Sequence, residues 1–122
     1  MANVFNFDNI TTVYYFDGLG ERQCMVGKDA MIVKNVLHPG FPEFKHKHPH
    51  EQIATIASGH CEFMIDGEWF PMGPGDMVYI PSNVEHDIKV IGDEPVVNYD
   101  IFTPIREDFL KLAAEVEAQK KD

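Results

Sequence analysis

The chain of 122 residues carries 20 Asp and Glu against 10 Lys and Arg, a formal net charge of −10, and is 44% hydrophobic. That size and apolar content fit one domain with one core and exclude a disordered coil, and no run of 18 apolar residues offers a transmembrane helix. The negative charge excludes nucleic acid and anionic membranes, whose phosphates need a basic patch, and taken alone it also weighs against an anionic small molecule.

The start, MANVFNFDN, has no basic stretch leading into an apolar one, so it reads as cytoplasmic rather than secreted. Cys24 and Cys61 suit that compartment as free thiols. Glycine and proline then punctuate short runs rich in Val, Ile, Phe, Tyr and Met. The runs predict strands at Val13–Phe16, Gln23–Val26, Met31–His38, Phe44–His48, Gln52–Ala57, Cys61–Ile65, Glu68–Phe70, Met77–Ile80, Asp87–Ile91 and Val96–Phe102. Asp66-Gly67 is a two-residue hairpin signal, because both residues tolerate positive φ. Many short strands with turns between them predict an antiparallel sandwich or barrel.

The end of the chain changes in kind. Thr103 can cap a helix and Pro104 suits its first position. Glu107 and Asp108 fall near the first turn and Lys120 and Lys121 at the end, as the helix dipole prefers. Ile105, Phe109, Leu112 and Val116 make one apolar stripe. A closing helix over about 104–120 is expected, its stripe packed on the sheet or on a partner subunit.

Of six histidines, three fall in Lys45-His46-Lys47-His48-Pro49-His50. On a strand His46 and His48 point to one face, the spacing a metal needs to gather two imidazoles from one segment. Convergent N and O ligands suit Zn²⁺, Mn²⁺, Fe²⁺ or Ni²⁺. The alternative is a solvated, charged edge strand with no metal.

The last strand also alternates. Asn98, Asp100 and Phe102 share one face, Tyr99 and Ile101 the other. Facing inward, Asp100 is a candidate general acid or base; facing outward, it is a solvated carboxylate or a turn cap. Arg106, one of two arginines, stands where the helix dipole disfavours a cation. It suits a bidentate grip on a carboxylate, or a salt bridge to Asp100, Glu107 or Asp108.

Two stretches carry a family resemblance. The first runs Gly40, His46, His48, Gln52, Gly59; the second runs Gly75, Pro81, Asn83, His86. In order and spacing they resemble the paired motifs of the cupin superfamily. That resemblance implies an antiparallel jelly-roll barrel as a single domain over residues 1–122, with a core of about 30–103. It also implies a divalent transition metal (Ni, Zn, Mn or Fe) on His46, His48, Gln52 and His86. The common pattern has Glu where this chain has Gln52, and Gly where it has Asn83. Asn tolerates the left-handed backbone a turn demands. A neutral Gln leaves a divalent site its full charge, suited to an anionic ligand and a developing enolate. Glu51 or His50 as the ligand instead is the alternative, though Glu51 points to the opposite strand face.

With Gln52, and with Asp100, Phe102 and Arg106 spaced as they are, the chain looks like the KdgF-type cupins of pectin and alginate breakdown. Members linearise 4,5-unsaturated monouronates into 5-keto-4-deoxyuronate. The resemblance implies Asp100, Phe102 and Arg106 as the functional trio beside the metal, a uronate as the small-molecule partner, and a homodimer. Other enzyme or binding classes stay open: a cupin dioxygenase using the same metal, or a non-catalytic sugar- or metal-binding cupin.

Overall fold

Alternation along three neighbouring strands decides which side chains face inward. In the computed structural model, which describes residues 3–120, β3 (Met31–Leu37) buries Met31, Val33, Asn35 and Leu37. β4 (Glu51–Ser58) buries Gln52, Ala54 and Ile56, and β9 (Val96–Thr103) buries Val96, Asn98, Asp100 and Phe102. Every second residue of each strand therefore points to one side, as the period of two requires. β9 lies between the other two, pairing Val33 with Asp100 and Ala54 with Asp100 in antiparallel register. The carboxylate of Asp100 thus rises between a valine and an alanine, where a small neighbour leaves room.

Around this trio the chain builds a jelly roll of antiparallel strands. A six-stranded sheet runs β1 (Val13–Tyr15), β2 (Gly20–Val26), β3, β9, β4 and β7 (Met77–Ile80). A three-stranded sheet runs β6 (Glu68–Met72), β5 (His60–Ile65) and β8 (His86–Ile91). One core cluster, including Leu37, Ile56, Phe63 and Val96, fills the space between the sheets. Met31, Val33 and Phe102 form a second, covered by Ile105, Phe109 and Leu110. Asp66 and Gly67, at φ 49° and 85°, turn β5 into β6. Asn83, at φ 62°, adopts the left-handed backbone for which asparagine substitutes for glycine. Cys24 and Cys61 are free thiols, and burial pushes both up to about 11, so neither is a reactive thiolate.

Gly59 ends the first motif for a steric reason. Its φ is +82°, and an added Cβ would lie 2.4 Å from the carbonyl oxygen of Pro95. Gly59→Ala is expected to cost about 3 kcal/mol, from left-handed strain plus backbone displacement, read as a lower urea midpoint with an unchanged slope.

Two expectations need correction. Phe44–His48 is not a strand; it makes one isolated bridge, His46 to His86. Pro42 and Pro49 flank it, and prolines lack the N–H a ladder needs. The Phe44 N–H is moreover taken by the Asp87 side chain, 3.1 Å away. The closing helix, α1 (Glu107–Lys120), starts three residues later than expected. Thr103 cannot cap it, being held in the β9 ladder opposite Glu51. Arg106 stands before the helix and takes the cap position: its carbonyl accepts from the N–H groups of Phe109 and Leu110. α1 rests against β1 and β2, so Leu110 packs on the core while Leu112 stays 42% exposed. Lys121, expected at the helix end, lies outside the described residues. Among those residues no helix is long and apolar enough to cross a membrane.

Candidate metal centre

The bridge between His46 and His86 brings the two motifs together. Each residue donates its backbone N–H to the other's carbonyl, at 3.1 and 2.9 Å. His46, His48 and His86 then converge, with one ligand atom from each lying within 4.8 Å of the others. His48 and His86 are buried; His46 is half-buried. The extended backbone of the segment gives His46 and His48 the common side that a strand would have given.

The tautomers follow from the backbone. The Nδ1 atoms of His46, His48 and His86 lie 2.7, 3.0 and 2.9 Å from the carbonyls of Phe44, His50 and Val84. A carbonyl only accepts, so each Nδ1 carries the proton and each Nε2 keeps a lone pair. Burial pushes the pKa of His86 down to about 4, and the positive charge of Arg106 pushes the same way. His48 is lowered for the same first reason. Both rings are therefore neutral near pH 7, as ligation demands.

Gln52 lies beside the three histidines. Its Nε2 donates to Asp100 at 2.9 Å, which turns its Oε1 toward Nε2 of His48, 3.0 Å away. Two acceptors facing each other at that distance are stabilised by a cation between them. The Nε2 of His86 is buried and has no hydrogen-bond partner. Three imidazole lone pairs and an amide oxygen, each fixed from behind, fit a divalent transition ion. Glu51 points away and accepts from the Tyr79 hydroxyl.

The same contact explains why position 52 is not the glutamate of the common pattern. A Glu there would face the Asp100 carboxylate with no donor between them. Gln52→Glu is expected to destabilise the metal-free protein by about 2 kcal/mol, from like charges sharing one buried site. Urea unfolding after chelation measures it. The double variant with Asp100→Asn should recover most of the loss.

Asp100 is buried and accepts three hydrogen bonds: from Gln52, from Asn98 at 3.1 Å, and from Asn35 at 2.8 Å. Burial raises its carboxyl to about 6, against the pull of Gln52, Asn98, Arg22 and Arg106. Asn35 in turn accepts from the Tyr15 hydroxyl at 3.1 Å, so a chain of bonds links β1 to the imidazoles. Phe102 stands edge-on to His48, ring centroids 5.5 Å apart. Arg106 gives Nε and Nη2 to Asp108, at 3.2 and 2.7 Å, and its guanidinium lies 3.8 Å over Phe109. Asp100, Phe102, Arg106, Gln52, His46 and His86 all line one cavity of about 440 Å³.

Sequence patterns missed four contributors. Asn35 and Tyr15 form the relay, Asp87 pins Phe44 and thereby the histidine segment, and Arg22 lines the cavity. Asn35 alone carried a sequence signal, as a polar residue in the inward register of an otherwise apolar strand.

Comparison with known proteins places the chain in a family and supports the fold. The family described as Cupin domain matches residues 35–102. The pectin degradation protein KdgF of Dickeya dadantii is 34% identical over 95 residues, 77% of this chain and 86% of that protein. The acireductone dioxygenase of Bacillus subtilis is 35% identical over 63 residues, 48% of this chain and 35% of that protein. In three dimensions the structure of KdgF from Halomonas sp. superposes with a TM-score of 0.77 at 23% identity, covering 89% of this chain and 99% of that one, a likeness of fold.

Proposed function

This chain belongs to the cupin family, as a KdgF-type member, and on that premise we propose that it opens the ring of 4,5-unsaturated monouronates to 5-keto-4-deoxyuronate. The observation that carries the reading is the amide of Gln52 held between Asp100 and His48. It sets a neutral ligand set beside one buried carboxylate in a cavity of sugar size.

His46, His48, Gln52 and His86 would hold a divalent ion. When bound, such an ion supplies Lewis-acid stabilisation of the oxygen that takes up enolate charge as the ring opens. The reaction itself is an isomerisation. The bond from the anomeric carbon to the ring oxygen breaks, the anomeric hydroxyl loses its proton, and C4 gains one. Asp100 is the group positioned to move a proton, and its carboxyl, raised to about 6, exchanges protons readily near neutral pH. Phe102 walls the cavity and limits water. Arg106 adds positive charge at its rim.

Incubation of the metal-loaded protein with an unsaturated monouronate, without oxygen, should remove the enol-ether absorbance faster than buffer alone. A rate equal to buffer overturns the proposal. The likeness to acireductone dioxygenase favours a second reading, oxygen chemistry at the same ion. Oxygen uptake coupled to substrate loss would establish that reading instead.

A further inference from the structure

The cavity holds a second arginine in different company from the first. Arg22, on β2, lies with its guanidinium carbon 3.7 Å from the centre of the Phe109 ring and 4.3 Å from that of Tyr15. Both aromatic contacts occupy its π-system and the Tyr15 side chain also hydrogen-bonds it, which leaves the Nε–H edge as the part of the guanidinium without a partner. Arg106 stacks on Phe109 as well, but Asp108 already takes two of its nitrogens. Arg22 makes no ion pair among the described residues, and its buried Nε has no hydrogen-bond partner. Nor is Asp100 its partner by contact, because amides of Asn35, Gln52 and Asn98 fill the carboxylate.

A guanidinium sheltered from water with no anion in contact with it is costly, and the cost falls when a ligand brings one. Arg22 and Asp100 line the same cavity, so that anion would sit within reach of the proton-moving group.

We propose that Arg22 is a ligand-binding residue that takes the carboxylate of the bound sugar acid in a bidentate pair, Arg106 contributing less because Asp108 holds it. The proposal rests on the uronate reading above and extends it to a residue outside the Asp100, Phe102 and Arg106 trio. It also makes Phe109 a structural support, since its ring orients both guanidinium groups.

The test compares D-galacturonate with its neutral methyl ester, titrated calorimetrically into zinc-loaded protein. Wild type should prefer the acid. Arg22→Gln should lose about tenfold to a hundredfold of that preference, as expected for a charge-assisted pair, while ester binding holds. Arg22→Lys should recover part of it. Arg106→Gln should lose less than Arg22→Gln. An unchanged preference in Arg22→Gln, no preference in wild type, or a larger loss in Arg106→Gln overturns the proposal. If Arg22→Gln does not fold by circular dichroism, Arg22→Lys must weaken acid binding without weakening ester binding, and equal effects on both overturn it. Turnover of the unsaturated uronate is read separately. Wild-type turnover with unchanged preference in Arg22→Gln removes the Arg22 role and leaves the activity. Lost preference with no wild-type turnover removes the activity and leaves the carboxylate site.

Discussion

Asp100→Asn is expected to slow ring opening by about 10²- to 10⁴-fold while metal content stays near that of wild type. The separation of the two effects follows from the hydrogen bonds. An asparagine oxygen can still accept from Gln52 and Asn98, which keeps the Gln52 carbonyl aimed at His48. Asn35 accommodates the new amide by turning over, because its other partner, the Tyr15 hydroxyl, can accept as well as donate. Only the exchangeable carboxyl proton is lost. Asp100→Ala behaves differently. It leaves three amide donors without their acceptor and frees Gln52 to rotate, so it should lower metal affinity as well as turnover. Steady-state rates beside metal analysis of the two variants measure this contrast, and equal metal loss in both would mean that Asp100 acts only by orienting Gln52.

His86→Ala should have the largest effect on the metal. Its ring is almost fully buried, at 2% exposure, and its Nε2 is buried with no hydrogen-bond partner. Removing it takes away a proposed ligand and the closest ring neighbour of His46, 4.2 Å between centroids. The expected loss in metal affinity exceeds the roughly 10- to 100-fold typical of removing an outer partner, and the rate should fall to that of buffer. His60→Ala is the control. His60 lies on the three-stranded sheet outside the cluster, so metal content and rate should not change. Metal analysis after desalting reads both.

Local pattern made much of this legible in the sequence. β3, β4 and β9 follow inward alternation, and Asp66-Gly67 turns where its chemistry says it must. The spacing of the histidines and Gln52 pointed to a common centre, and Asn98, Asp100 and Phe102 do share the inward face. What stayed hidden depends on contacts between distant segments. The Phe44 N–H is satisfied by Asp87, more than forty residues away, so strand propensity there had no pairing partner. Thr103 had the chemistry of a cap but was claimed by the ladder with Glu51. Arg22 belongs to no motif, and only the packing of α1 brings Phe109 against it. The net charge of −10 misleads in the same way. It sums mainly exposed carboxylates, screened over roughly 8 Å at physiological salt, whereas the cavity holds both arginines of the chain.

We propose that this cavity converts an unsaturated sugar acid by moving a proton to C4. Proton NMR of 4,5-unsaturated galacturonate with the metal-loaded protein in D₂O tests it most directly. The vinyl H4 signal is expected to disappear faster than in buffer, and the 5-keto product to carry solvent deuterium at C4. Decay of the vinyl signal at the protein-free rate would contradict it.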